Sequence, residues 1–336
     1  MKKYTRSVFQ ILILMLLLSG VTACGKKLQL YTVSGFYFDT FVSLTLYEDT
    51  QEAKEAAQSF LASCERYDRL FSKTDPASDI WRINHSEGET IEVSEETIDL
   101  LQQALWYYEC SETAANPCIG AVSSLWEFHQ AGEEGRIPAD PDLQHALQHM
   151  DPYSLRVENT TITRMDDEVQ LDLGYIAKGY IADRLKEELQ AKGIRSGIIN
   201  LGGNVVVLDE KPDGQPYTVG IEKPFAQGTP LYTIQVSDTS VVTSGVYERY
   251  FYEDGKLYHH ILDPATGYSV SNGLNSVTIL CRDSAAADAL ATACFVLGED
   301  KGMQLIEETD GAEALFLDTD LMPHTSSGFP KLTPVK

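Results

Sequence analysis

The chain has 336 residues, with 50 acidic against 26 basic side chains and a formal net charge of −24. So acidic a balance argues against a nucleic-acid binder, whose phosphate contacts need a basic face. With 43% hydrophobic and 10% aromatic residues the chain is no disordered acidic tail, and its length fits one large domain or two intertwined lobes.

Lys2, Lys3 and Arg6 precede an almost purely apolar run over residues 8–18, and Val21-Thr22-Ala23-Cys24 places small residues before a cysteine. This is the pattern of an export signal, and the run is shorter than the ~20 residues a stable membrane span needs. The ending resembles a bacterial lipobox, so residues 1–23 are expected to be removed and Cys24 to carry lipid. Residues 24–34 then read as a tether and residues 35–336 as one domain. The protein is expected to be exported and lipid-anchored at the outer face of the cell membrane, or on the periplasmic side. Removal of the signal takes away Lys2, Lys3 and Arg6 and no acidic residue, so lipid and not attraction to anionic headgroups is expected to hold the chain there.

Cys64, Cys110, Cys118, Cys281 and Cys294 are odd in number and lack CxxC spacing, so neither a complete disulfide framework nor a zinc motif follows. Residues 36–47 have strand composition, and residues 52–71 carry Ala56, Phe60, Cys64 and Tyr67 at helical spacing. A second amphipathic helix is predicted over 97–110, a Gly/Pro/acidic loop over 132–141, short strands over 154–158, 160–164 and 169–173, and a helix over 176–192 closed by Gly193. The second half is strand-rich, with candidates at 197–201, 204–208, 217–221, 231–236, 241–244, 249–252, 257–262 and 276–281. Helices over 285–297 and 302–309 interrupt it. Adjacent strands with helices between them predict an α+β fold of mainly antiparallel sheet. No GxGxxG is present, which argues against a doubly wound nucleotide fold.

Three stretches carry candidate chemistry. In "YHHILDPATG", residues 258–267, β-formers run into an Asp-Pro turn, and strand pleating turns His259 and His260 to opposite faces, so at most one of them is chemical. An ordinary strand-end histidine is the alternative. In "SAAADALATACFVLG", Asp288 and Thr292 share one face of a helix whose composition predicts burial. A buried carboxylate needs a cation or several donors, and carboxylate with hydroxyl suits Mg²⁺; a capping Asp and a back-bonding Thr are the alternative. In "LDLGYIAKGYIAD", Asp172 ends a strand, Gly174 permits a sharp turn, and Lys178 opens a helix, an anion-friendly corner. "INLGGNVVV" offers either a hairpin turn or a close approach of backbone to a ligand, and "VVTSGVYERYF" offers hydroxyls and N–H groups.

Taken in order, the lipobox, "LDLGYIAKGY", "NLGGN", "SVVTSGVYERYF", "HHILDPATG" and "DALATACFVLG" resemble the ApbE family of FAD:protein FMN transferases. The resemblance implies a single large domain with a T-fold-like core. It also implies an exported, Mg²⁺-dependent enzyme that splits FAD, joins the FMN half to a threonine or serine hydroxyl of a partner flavoprotein, and releases AMP. Acceptors of that kind include subunits of membrane redox pumps and extracellular flavoproteins. By the same resemblance His260 falls on the catalytic base, titrating near neutrality, and Ile261 on a flavin contact. Asp288 and Thr292 fall on metal ligands with the Tyr175 backbone carbonyl as a third, and Asp172 and Lys178 on FAD contacts. Phe38 stands where the family usually shows Met-Gly-Thr. Ala114, Ala115 and Asn116 replace a family pattern containing an aromatic residue and a carboxylate. A flavin-binding lipoprotein without transfer and a Mg²⁺-dependent FAD pyrophosphatase remain as alternatives.

Overall fold

The computed structural model describes residues 30–48, 50–126, 128 and 135–335. The export signal, Cys24 and the start of the predicted 132–141 loop lie outside the described residues.

The stretch expected as one strand over 36–47 is the second half of a hairpin, β1 (Tyr31–Tyr37) and β2 (Thr40–Leu46), reversed at Phe38 and Asp39. Both turn residues take φ 55°, the left-handed values that match the twist of a two-residue hairpin. β1 starts inside the expected tether, because Tyr31 and Val33 pack on the core while their backbone pairs with residues 44–46. There follow α1 (Gln51–Phe71), α2 (Asp79–Asn84), β3 (Thr90–Glu92), α3 (Glu95–Cys110), α4 (Gly120–Ser123), α5 (Asp140–Ala146), a 3₁₀ turn (Leu147–His149), β4 (Leu155–Glu158), β5 (Thr161–Arg164) and α6 (Ala177–Ala191). The rest comprises β6 (Gly197–Leu201), β7 (Asn204–Leu208), β8 (Tyr217–Glu222), β9 (Pro230–Val236), β10 (Thr239–Gly245), β11 (Tyr250–Glu253), β12 (Lys256–His259), β13 (Leu274–Cys281), α7 (Ser284–Leu297), α8 (Glu299–Glu307), β14 (Glu313–Asp318), β15 (Pro323–Thr325) and β16 (Thr333–Pro334).

Residues 169–173 are not the expected strand. Gln170 makes one bridge to Ile119, while the Leu171 N–H donates to Asn84 Oδ1 at 2.7 Å and the Asp172 N–H to the Pro117 carbonyl at 2.8 Å. Backbone groups satisfied by a side chain and a loop have no ladder to join.

The frame is an eight-stranded antiparallel sheet in the order β1-β2-β6-β7-β10-β13-β14-β15. On one face α1, α6 and α7 cover the main core, where Leu44, Ile199, Ile279, Tyr180 and Phe295 are fully or almost fully buried. The other face meets β8 and β9 through Tyr217, Val219 and Ile234 against Val207, Val241 and Leu280. This is the α+β architecture that the interleaved strand and helix signals predict.

Gly202 and Gly203 form the β6–β7 hairpin turn, with φ 62° and 95°. The turn abuts the first hairpin: the Gly202 N–H donates to the Phe41 carbonyl at 3.2 Å, and a Cβ on Gly202 would stand 2.3 Å from Thr40 Oγ1. Gly202→Ala is therefore expected to lower unfolding stability by about 1–3 kcal/mol through left-handed strain and displacement of Thr40. An unchanged urea midpoint for that variant would refute this account of the hairpin contact.

Candidate flavin-transfer site

The site is built at the sheet end where the 38–39 and 202–203 turns lie. Its first component is a helix crossing made backbone to backbone. A Cβ on Gly179, in the first turn of α6, would lie 2.1 Å from the Ser284 carbonyl oxygen and 2.7 Å from Ala285 Cα, so only glycine lets α6 come this close to α7. At the crossing the Gly179 N–H donates to Asp288 Oδ2 at 2.9 Å. The Tyr175 carbonyl, to which an uninterrupted helix would send that donor, receives no backbone N–H among the described residues. Asp288 is 4% exposed, and burial raises its pKa against the opposing pull of Lys178 and the Gly179 N–H. One helical turn on, Thr292 Oγ1 lies 3.1 Å from Ser244 Oγ at the end of β10. A buried carboxylate with one backbone donor, a hydroxyl on the same helix face and a carbonyl outside the helical ladder make a hard-oxygen donor set that fits Mg²⁺.

The second component is the β11–β12 hairpin and its exit. His259 is 3% exposed, stands edge-on to Phe295, places Nε2 2.9 Å from the Val270 carbonyl oxygen, and accepts the Ile261 N–H at Nδ1 over 3.3 Å. Burial lowers its pKa to about 4 despite the Val270 contact. His260 turns the other way: its side chain is 31% accessible, with Nδ1 3.4 Å from the Arg249 carbonyl and Nε2 4.0 Å from Glu248 Oε2. Burial, followed by His259 and the cations Arg249 and Lys178, holds its pKa well below the usual imidazole range. This differs from the near-neutral value expected, because desolvation first, and the neighbouring cations after it, disfavour the imidazolium. Glu248 is pushed up to about 7 by burial, with Lys178 opposing and Asp288 adding to the rise. His260, Lys178, Glu248, Arg249 and Asp288 thus share one electrostatic neighbourhood.

The third component is the corner entering α6. Burial would raise the pKa of Asp172, but Lys73 Nζ at 2.5 Å, Ser123 Oγ at 2.8 Å and the Gly174 N–H at 3.1 Å outweigh it and bring the value to about 2. The Tyr175 hydroxyl donates to the Ala104 carbonyl at 3.1 Å, which ties the corner to α3.

The remaining candidates sit further back. Ala114, Ala115 and Asn116 are 8%, 1% and 7% exposed, and Asn116 directs its side chain to the Met150 carbonyl and the Cys118 N–H. The segment reaches the corner through the Pro117 carbonyl, which accepts from the Asp172 N–H. Ile261 is 4% exposed in the main core, and the Phe38 N–H donates to Asp68 Oδ1 at the first hairpin tip. Ser244 lies in the "VVTSGVYERYF" stretch whose hydroxyls the sequence offered, whereas Glu248, Lys73 and Ser123 were not singled out, since their proximity to the candidates arises only when the β11–β12 hairpin and the 172–178 corner meet the rest of the site. A surface concavity lined by Tyr47, Arg195, Asp209 and Arg282 lies at the opposite end of the sheet and contains none of these groups.

A methyl group on Gly179 would separate the two helices and move the donor away from Asp288. Gly179→Ala is expected to lose about 1–3 kcal/mol of stability through overpacking and to weaken divalent-cation binding about tenfold or more. Urea unfolding and calorimetric Mg²⁺ titration measure the two effects; if neither quantity moves, the crossing does not position Asp288.

Residues 38–316 match the sequence profile of the ApbE family. A Treponema pallidum protein named FAD:protein FMN transferase is 33% identical, covering 94% of this chain and 92% of its own. A Klebsiella pneumoniae protein of the same name is 34% identical, covering 86% and 89%. The structure resembles the ApbE protein of Thermotoga maritima with TM-score 0.81 at 32% identity, covering 89% of this chain and 97% of that one. It resembles the flavin transferase ApbE from Vibrio cholerae with TM-score 0.79 at 28% identity, covering 90% and 98%. Profile, relatives and fold agree across most of the sequence, and the chain belongs to the ApbE family.

Proposed function

We infer that the protein transfers the FMN moiety of FAD to a hydroxyl of a partner flavoprotein, releasing AMP, with threonine or serine as the acceptor and Mg²⁺ as the divalent cation. One observation carries the reading: an accessible imidazole, His260, with Nε2 4.0 Å from Glu248 Oε2, stands in the same electrostatic neighbourhood as Lys178 and Asp288. The relatives' names support FMN transfer from FAD.

The Arg249 carbonyl can only accept, so the His260 proton is assigned to Nδ1 and the lone pair to Nε2. Nε2 takes the proton of the acceptor hydroxyl as its oxygen forms a bond to the FMN phosphorus. The bond from that phosphorus to the bridging oxygen breaks, and AMP leaves with the oxygen. Base assistance of this kind typically contributes ~10²–10⁴-fold. Glu248 Oε2, 4.0 Å from Nε2, stands where it can receive the proton in turn. Lys178 concentrates positive charge where the anionic pyrophosphate must lie in a chain of net charge −24. When bound by Asp288, Thr292 and the Tyr175 carbonyl, Mg²⁺ supplies neutralisation of the pyrophosphate oxygens and of the charge on departing AMP.

His260→Ala should retain FAD binding, measured by fluorescence quenching, yet add mass to an acceptor ~10²-fold more slowly or worse. Asp288→Ala should abolish Mg²⁺-dependent transfer while leaving the fold largely intact, and undiminished activity of that variant at low Mg²⁺ would remove the metal assignment. The sign of the His260 shift also fixes a pH prediction. A lowered pKa keeps the base neutral to lower pH, so the acid limb of kcat/KM should lie below the ~6.5 of a free histidine and vanish in His260→Ala. Undiminished transfer by His260→Ala removes the base assignment, and AMP release without acceptor mass gain identifies hydrolysis instead.

We further propose export and lipid anchoring through Cys24, on the strength of the basic, apolar and small-residue order of residues 1–24. Cys24→Ser should move the protein from the membrane to the soluble fraction, and unchanged fractionation would count against the anchor.

A further inference from the structure

His145 and His149 stand one helical turn apart, at the end of α5 and in the 3₁₀ turn after it, with ring centroids 4.8 Å apart. The turn after β5 faces them. His145 Nε2 lies 2.6 Å from Glu168 Oε2, and His149 Nε2 lies 3.6 Å from Glu168 Oε1. One ligand atom from each of the three residues falls within 4.8 Å of the other two.

We propose that His145, His149 and Glu168 bind a borderline-soft divalent cation of the Zn²⁺ class, at a site separate from the oxygen-donor set of Asp288. Two imidazoles and a carboxylate suit Zn²⁺, whereas Mg²⁺ prefers oxygen ligands alone. The surrounding groups orient the donors. Asp166 Oδ2 lies 2.8 Å from His149 Nδ1 and accepts its proton, so the Nε2 lone pair is presented on the side of Glu168. A carboxylate behind an imidazole is the arrangement that orients a metal-binding histidine and raises its basicity. The other oxygen of Asp166 accepts the Glu168 N–H at 2.9 Å. Beneath the turn the buried guanidinium of Arg164 donates to the Asp167 and Val169 carbonyls at 2.7 and 2.9 Å, which holds the backbone carrying Glu168. Bonds of about 2.0–2.2 Å set tetrahedral donors roughly 3.3–3.5 Å apart, so ligation asks the widest pair of the trio to close by about an ångström and the His145–Glu168 hydrogen bond to open, with loss of its proton. His145 and Glu168 have the freedom to do so, with side chains 59% and 55% exposed, and water can take the fourth position.

Both segments lead to the flavin site. The 165–169 turn continues into Asp172. Leu143 of α5 packs with Trp126 and Leu262, and a Cβ on Gly267 would lie 3.1 Å from the Leu143 side chain, so α5 also supports the turn after His260. A bound ion would therefore join two supports of that site.

The test uses metal-stripped, tag-free full-length protein in saturating Mg²⁺, titrated with ZnCl₂ in a calorimeter and followed by its unfolding temperature. We expect one Zn²⁺ per chain at this site and a rise in Tm by mass action. His149→Ala and Glu168→Gln should each weaken binding more than tenfold and abolish the rise. Asp166→Asn should weaken it roughly 10–100-fold through loss of the orienting carboxylate. Asp288→Ala should keep both the binding and the rise. If His149→Ala proves poorly folded without metal, the exposed His145→Gln gives the same readout. Zn²⁺ binding that survives His149→Ala or His145→Gln, or disappears in Asp288→Ala, overturns the proposal.

Discussion

A carboxylate can be buried in an alanine-lined helix only if something compensates its charge, and here the compensation depends on a glycine. Gly179 lets two helices touch at their backbones, which delivers an N–H to Asp288 and carries Lys178, its neighbour in sequence, into electrostatic range of the same group. Small residues along α7 allow this approach, and β10 and β13 beneath α7 hold it in place. The oxygen-donor set around Asp288, the position of Lys178 and the environment of Glu248 all follow from this one crossing.

The exit of β12 supplies the other half of the site. The strand ends at His259, short of the 257–262 expected, and this last strand residue is drawn inward, where its ring is engaged by the Val270 carbonyl, the Ile261 N–H and Phe295; His260, in the bend that follows, stays 31% accessible. Burial, and after it His259 and the cations Arg249 and Lys178, disfavour a charged imidazole at His260.

Around these two elements, polar side chains do the work that regular ladders do elsewhere. Asn84 takes both backbone groups of Leu171, Lys73 and Ser123 hold Asp172, and Arg164 grips the turn before them. This explains why an apolar-looking stretch at 169–173 forms no strand and why Asn116 serves the loop interior.

By itself the sequence determined the long helices, most strands of the second half, the opposed facing of the two histidines and the grouping of Asp288 with Thr292. All of these depend on periodicities of one or two turns or on adjacent residues. It also carried the family motifs that singled out His260 and Lys178. Tertiary structure decided what depends on distant partners. The 36–47 stretch turns back at Phe38 and Asp39 because β1 pairs with residues beyond them. Glu248 and Ser244 join the site because β10 ends beside α7 and the β11–β12 hairpin. His145 and His149 acquire a carboxylate because the turn after β5 passes them. The depressed pKa of His260 was likewise invisible in a list of residues, since desolvation and the approach of Lys178 and Arg249 exist only once the chain has folded around it.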